Sequence, residues 1–394
     1  MKPIAFVIPW YGEDIPGGAE AACRSLVKRL YNYGCKVEVL TTCVKEFSSD
    51  WNVNYYKEDI YNTNNITIRR FCVRQRNTKA FDAVNSKLMN KEPITHEEEK
   101  VFFNEMVYSP NLNKYIGNNI DNYQCFVFIP YMFGTTFWGI EKYGFNSVLI
   151  PCLHDESYAY MDLVKKMFQN TKGIVYLAKP EYELAQRLYN LKDIKTAVLG
   201  IGIDTAYLSP VKANHFKEKY NIKEDFILYA GRKDKGKNVD QLIDFFIKYK
   251  EIRKNNYKLV LIGGGTIDIP PAFKDYIIDL GFVSNQDKYD AYAAASLLCN
   301  PSPNESFSIV IMESWLAGTP VLVNSRCAVT KNFCKESNGG LFYSNFEEFL
   351  ECIDLLIYDK KLSSNMGTNG KSYVIENFSW DVVVKKYIEF FKSL

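Results

Sequence analysis

The stretch from Cys299 to Val323, with the apolar residues that lead into it, most narrowly limits what this chain can fold into. It opens on an apolar run, Leu297-Leu298-Cys299, cut off by Asn300-Pro301-Ser302-Pro303. A short apolar run stopped by turn residues reads as a buried parallel strand. Glu305 follows in the turn, and Ser306 to Ala317 reads as a helix with Gly318 and Pro320 as its stop signal. Pro320-Val321-Leu322-Val323 resumes as the next strand. Strand, turn, helix and strand in this order form a βαβ unit. Its turn lies at the carboxyl end of a strand, where open α/β sheets place ligands.

That turn carries specific chemistry. A helix beginning at Ser306 offers the N–H groups of Ser306, Phe307, Ser308 and Ile309, together with a partial positive charge, to an anion such as phosphate. Small side chains at Ser306 and Ser308 leave the backbone approachable. Glu305 stands just outside the helix, and Glu313 about two turns in. Two carboxylates so placed cannot both be phosphate ligands, but they can accept hydrogen bonds from hydroxyls on either side of one. A sugar nucleotide has that layout: sugar hydroxyls, diphosphate, ribose hydroxyls. The plainer alternative is a glutamate favoured by the helix dipole and another on a solvated helix face.

A second anion signal lies upstream. Phe226 to Ala230 reads as a strand, followed by Gly231-Arg232-Lys233-Asp234-Lys235-Gly236-Lys237-Asn238 and a helix from Val239. Cations crowded at a strand end repel one another unless an anion lies between them. A diphosphate fits, with Arg232 chelating as a fork and Lys237 acting as a point charge. A solvated basic turn is the alternative. At the start of the chain, the strand Ile4 to Pro9 leads through Trp10 to Pro16 into Gly17-Gly18-Ala19-Glu20, which opens a helix to about Tyr33. This is not G-x-G-x-x-G. Gly17 and Gly18 form either a plain tight turn or a place where backbone closely approaches a phosphate or sugar.

Between these signals, Ile66 to Phe71 and Ser147 to Pro151 read as strands, Glu97 to Asn119 as one helix, and Tyr131 to Tyr143 as another. The segment from Arg69 to Lys79 concentrates five basic residues; it reads as a solvated edge or, more sharply, as an acceptor or anionic-lipid contact. His154, one of three histidines, ends the strand region at Pro151, where a lone His is more often structural than catalytic. Asp155 beside it is a candidate cap for the next helix. Near the end, Asn377-Phe378-Ser379-Trp380-Asp381 begins a terminal helix with Ser379 as N-cap.

With 394 residues, the chain suggests about two or three domains. Its hydrophobic fraction of 47% and charged fraction of 24% fit a globular protein with a full core. A net charge of +2 is too near neutral for nucleic-acid binding by bulk electrostatics. The ten cysteines are scattered without C-x-x-C or neighbouring histidine pairs, which fits a reduced, cytoplasmic protein with inert thiols. No apolar run reaches ~18 residues, so no membrane span is expected. The start, Met1 to Pro9, reads as a first strand rather than a signal peptide.

The pattern P-S-x-x-E-S-F-x-x-x-x-x-E-S-x-x-x-G-x-P-V-L, with seven residues between Glu305 and Glu313, resembles the signature of retaining glycosyltransferases of family 4, which have the GT-B fold. Ser306, Ser308 and Ser314 stand where Gly, Gly and Ala are more usual. Gly231-Arg232 and Lys237 match the spacing of the family's G-R-x-x-x-x-K motif, while Lys233 and Lys235 fall outside it. Gly200-Ile201-Gly202-Ile203-Asp204, then Pro210, resembles the interdomain crossover. The resemblance implies an α/β chain of two doubly wound Rossmann-like lobes facing a central cleft, with a C-terminal helix crossing back to the first lobe. Residues 1–204, with part of 376–394, would form an acceptor-binding domain, and 205–375 the donor-binding domain, beginning near Ala206. It further implies that Gly17 and Gly18 face a donor diphosphate and His154 lies beside the donor sugar. Phe282 and Val283 would hold the nucleobase, Glu305 the sugar hydroxyls and Glu313 the ribose. The activity implied is metal-independent retaining hexosyl transfer from a UDP- or GDP-sugar to a glycan or lipid-linked acceptor, with no cofactor. Two other readings fit the residues less well: a sugar-nucleotide epimerase of the same fold, and a two-lobed sugar-binding protein without chemistry.

Overall fold

The computed structural model describes residues 1–205 and 212–394. Ala206, near which the sequence reading begins the second lobe, and Pro210, which it counts in the interdomain crossover, lie outside the described residues. The described chain divides into two compact units, Met1–Gly202 with Val383–Leu394, and Ile203–Val382.

The first unit is built on an eight-stranded sheet. Its strands are β1 (Ile4–Val7), β2 (Val37–Thr42), β3 (Ile60–Thr63), β4 (Ile66–Phe71), β5 (Cys125–Phe128), β6 (Ser147–Leu149), β7 (Gly173–Tyr176) and β8 (Lys195–Val198). Their order is β3-β4-β2-β1-β5-β6-β7-β8. All pair in parallel except the edge strand β3, which turns back antiparallel on β4. β1 and β5 are buried along their whole length, as strands covered on both faces must be. The second unit has a six-stranded parallel sheet of β9 (Phe226–Ala230), β10 (Lys258–Ile262), β11 (Ile277–Asp279), β12 (Leu297–Asn300), β13 (Val321–Asn324) and β14 (Gly340–Tyr343). Their order is β11-β10-β9-β12-β13-β14. Helices connect most of the successive parallel strands, the exceptions being β2 to β4, joined through β3, and β10 to β11, joined through a short 3-10 turn, and each sheet is doubly wound.

Each strand order reverses once. In the first unit the chain winds outward from β1 through β2, then returns to β5 on the other side of β1. In the second it winds from β9 through β10 and β11, then returns to β12 beside β9. The loops after β1 and β5, and those after β9 and β12, therefore diverge around a crevice at the carboxyl edge of each sheet.

Several elements differ from the sequence reading. The expected helix from Glu97 to Asn119 is two helices, His96–Asn104 and Pro110–Asn118. Ser109 caps the second by accepting from Leu112 N–H at 3.2 Å, and Pro110 occupies its first turn. The helix expected from Ser306 begins only at Ile309. The terminal helix Trp380–Lys392 is preceded by a longer one, Lys360–Phe378, and Ser379 separates the two.

Candidate active site

The loop after β9 and the loop after β12 supply the charged residues at the second unit's switch point. Strand β9 ends at Ala230, and Gly231 turns the chain at a φ of 151°. Asp234 then caps a short 3-10 turn, Lys235–Lys237, by accepting from Lys237 N–H at 3.0 Å. This turn fixes the two cations differently. Arg232 is exposed and pairs with Asp234 through Nε–Oδ2 at 2.5 Å. Lys237 reaches across to the next loop and donates to Glu305 Oε1 at 2.6 Å, with side-chain exposures of 28% and 14% for the pair. Asn238, at φ 59°, follows and donates to Pro301 O at 3.4 Å, a second tie between the loops.

The loop after β12 is pinned before it reaches the helix. Asn324 donates to Pro301 O at 3.0 Å, Asn300 Oδ1 accepts from Ser302 N–H at 3.0 Å, and Ser302 donates to Asn304 O at 2.9 Å. Ser308 is the residue before the helix and sits at φ 69°, ψ 75°, a left-handed conformation natural to glycine. Its hydroxyl does not cap the helix; its oxygen accepts from buried Asn300 Nδ2 at 2.9 Å. This left-handed residue is why the helix starts three residues later than its composition predicts. Among the described residues no protein acceptor meets the N–H groups of Ser306, Phe307, Ser308 or Ile309. Phe307 keeps its ring out of the crevice: it is buried edge-on against Phe333 and Phe378, with centroids at 5.5 and 5.1 Å. Whatever Phe307 offers a ligand is its backbone.

Glu313 is not on a solvated helix face. It is buried, and three side chains of the helix Asn285–Ala294 meet it. Lys288 Nζ and Tyr289 Oη donate to its Oε1 at 2.6 and 3.1 Å, and Tyr292 Oη donates to its Oε2 at 2.9 Å. The sequence reading missed these partners. Positions 288, 289 and 292 recur at helical spacing on one face, which was the available signal.

Phe282 is 84% exposed, and Val283 beside it is half-buried. The Phe282 ring lies over Gly264, where a Cβ would come within 2.6 Å of it.

The remaining candidates belong to the first unit. Gly17 adopts φ 134° and precedes the helix Gly18–Asn32. A Cβ there would fall 1.9 Å from Glu20 Oε2. The Glu20 carboxylate accepts from Trp10 Nε1 at 2.6 Å, and Arg24 donates to Gly12 O and Ile15 O at 3.0 and 2.8 Å, so the whole loop is braced. His154 follows β6, with Nδ1 at 3.8 Å from Glu156 Oε1. Burial raises the Glu156 carboxyl, which also accepts from Tyr131 Oη at 2.9 Å. Leu153, the residue before His154, donates its N–H to Glu181 at 2.6 Å, and Leu177 donates to the other oxygen at 2.5 Å. Burial pushes Glu181 up to about 8 against the pull of these backbone donors. Asp155 caps no helix; it pairs with Arg187 at 3.0 Å and accepts from Tyr160 at 2.7 Å.

In the basic segment from Arg69 to Lys79, Lys79 is exposed, while the four arginines are each engaged by the protein. Arg69 pairs with Glu38, and buried Arg70 donates to Tyr11 O and Thr42 O at 2.5 and 3.0 Å. Arg74 lies over the Tyr108 ring, and Arg76 lies 4.7 Å from the ring centroids of both Trp51 and Phe81. These arginines are structural. Among the described residues no group of three or more His, Cys, Asp or Glu is placed to hold a metal, and no helix is long and apolar enough to cross a membrane.

Comparison with known proteins places this geometry in a class. Residues 211–373 match the family model described as glycosyl transferases group 1. An uncharacterized glycosyltransferase of Methanocaldococcus jannaschii is 24% identical over 99% of this chain and 97% of its own length. The lipopolysaccharide glucosyltransferase WaaG of Escherichia coli K12 is 24% identical over 54% of this chain and 61% of its own. The crystal structure of Anabaena HepE in complex with UDP-glucose superposes over 100% of both chains with a TM-score of 0.72 at 14% identity. The residues that match the family model fall within the second unit, and the fold of the chain is GT-B.

Proposed function

We propose that this protein is a retaining glycosyltransferase of family 4 that moves a sugar from a nucleoside-diphosphate sugar to a glycan or lipid-linked acceptor. The observation that carries this reading is the contact of Lys237 with Glu305 across the β9/β12 switch point, at 2.6 Å. A cation and a carboxylate on adjoining loops, the carboxylate directly followed in sequence by the N–H groups of Ser306 to Ile309, match the sequence of phosphate and sugar hydroxyls in such a donor. The charged groups then take distinct parts. Arg232, Lys237 and the helix N-terminus stabilise charge growing on the departing diphosphate. Glu305 accepts from donor-sugar hydroxyls and Glu313 from the ribose. Phe282 presents its exposed face to the base. The first unit's Gly17, Gly18 and His154 are assigned to the donor by the family resemblance.

In the reaction, the bond from the sugar's anomeric carbon to the diphosphate oxygen breaks, and a bond to the acceptor hydroxyl forms on the same face. The acceptor proton passes to the leaving phosphate. Arg232 and Lys237 supply the charge neutralisation that a metal would otherwise give. HepE binds UDP-glucose, which makes a UDP-sugar the first donor to test, with GDP-sugars next. WaaG is a lipopolysaccharide glucosyltransferase, which supports looking for the acceptor among cell-surface glycans or their lipid-linked precursors. We place the reaction in the cytoplasm. Nuclear magnetic resonance of the transfer product gives the test: the new linkage should keep the donor's anomeric configuration, and an inverted product would contradict the reading.

A further inference from the structure

Lys233 lies outside the G-R-x-x-x-x-K spacing, yet it is the one lysine of its loop whose side chain is fully buried, at 0% exposure. Its ammonium donates to Gly263 O and stands 3.0 Å from Asp279 Oδ1. Its own N–H donates to Gly264 O at 2.7 Å, and a Cβ at Gly265 would fall 2.5 Å from its carbonyl oxygen. Lys233 thus binds the phosphate-facing loop after β9 to the glycine loop after β10 and to the end of β11.

The tie continues toward the exposed aromatic ring. Asp279 Oδ1 also accepts from Gly281 N–H at 3.0 Å, and Gly263 N–H donates to Gly281 O at 2.7 Å. Gly281 immediately precedes Phe282, whose ring rests on Gly264. Gly263 must be glycine for this: it adopts φ 118°, and a Cβ would lie 2.1 Å from Gly231 O. A buried ammonium with one carboxylate and one carbonyl is costly to desolvate, so these contacts fix where the three segments stand relative to one another.

We propose that Lys233 is a positioning residue that sets the base-binding ring of Phe282 against the phosphate-binding groups Arg232 and Lys237, so that a nucleoside diphosphate is gripped at both ends. The inference rests on the donor reading of this site. Lys233 touches neither end of the donor; it acts through Gly263, Asp279 and Gly281. Asp279 is itself partly exposed and keeps the Gly281 N–H, so removing the ammonium does not strand a fully buried charge.

The test compares the wild type with Lys233→Met and Lys233→Arg, by calorimetric titration with UDP, GDP and inorganic diphosphate, and by amide hydrogen exchange without ligand. In Lys233→Met, affinity for the preferred nucleoside diphosphate should fall at least tenfold while affinity for inorganic diphosphate changes less than twofold. Exchange should accelerate at 263–265 and 280–283 but not in the β-strands. Lys233→Arg, which keeps the charge, should recover part of the loss. Parallel losses for nucleotide and inorganic diphosphate, or unchanged exchange at 280–283, would overturn the proposal. A wild type that binds inorganic diphosphate but neither nucleotide removes the donor reading itself, and the base-positioning role with it. Faster loop exchange would then remain as a purely structural fact about Lys233.

Discussion

At the scale of single residues, the Lys237–Glu305 pair separates stability from function. The pair is mostly buried, and removing one partner leaves the other charge poorly compensated, whereas removing both is nearly neutral. Lys237→Met and Glu305→Gln should each lower unfolding free energy by about 1–2 kcal/mol, and the double variant should lose less than the sum. If both residues contact the donor, all three variants lose transfer activity, including the double variant with recovered stability. Denaturant titration alongside turnover assays checks this. Activity returning with stability in the double variant would make the pair purely structural. Residue types and spacing made Arg232, Lys237, Glu305 and Glu313 legible as candidates. Their pairing was not legible: the spacing of Lys288, Tyr289 and Tyr292 shows a shared helix face but not which carboxylate that face meets, and Asp234 meets Arg232 only through the turn. Lys233 stood only as a residue outside the motif spacing, because its burial arises when three loops fold around it.

At the scale of elements, strands were the easiest to read. The bounds of β9 and β10 follow directly from uniform apolar runs closed by Gly231 and Gly263. The antiparallel edge β3 was missed, since its half-exposed Ile60–Thr63 carries no continuous apolar signal. The helix expected at Ser306 starts late because Ser308 is left-handed. The composition of Lys360–Phe378, rich in Asn, Ser and Gly, hides a helix that only packing stabilises. The C-terminal helix shows how packing gives an element its place. Residues Val383–Leu394 group with the first unit: Tyr387 donates to Gly200 O at 3.0 Å, Lys195 to Ser393 O at 2.7 Å, and Gln124 to Phe391 O at 3.2 Å. Phe391 is fully buried. Phe391→Ala should cost about 3–5 kcal/mol of stability, the range for truncating a buried Phe. A chemical-denaturation midpoint that does not move would mean this helix is not held by the first unit.

At the scale of the whole molecule, two sheets each reverse strand order once. Such a reversal opens a crevice by topology alone, and the residues delivered there differ sharply between the units. The loops after β9 and β12 carry Arg232, Lys237 and Glu305. Those after β1 and β5 carry Trp10 and Phe133, whose rings pack at 4.9 Å. The central claim is that the charged crevice is a nucleotide-sugar site. It is tested most directly by calorimetric titration of wild type and Glu305→Ala with UDP- and GDP-sugars and with the parent diphosphates. The account predicts that the wild type binds one nucleotide sugar more tightly than its diphosphate, and that Glu305→Ala binds both alike because the sugar's share is lost. A wild type that binds no nucleotide or nucleotide sugar would contradict it.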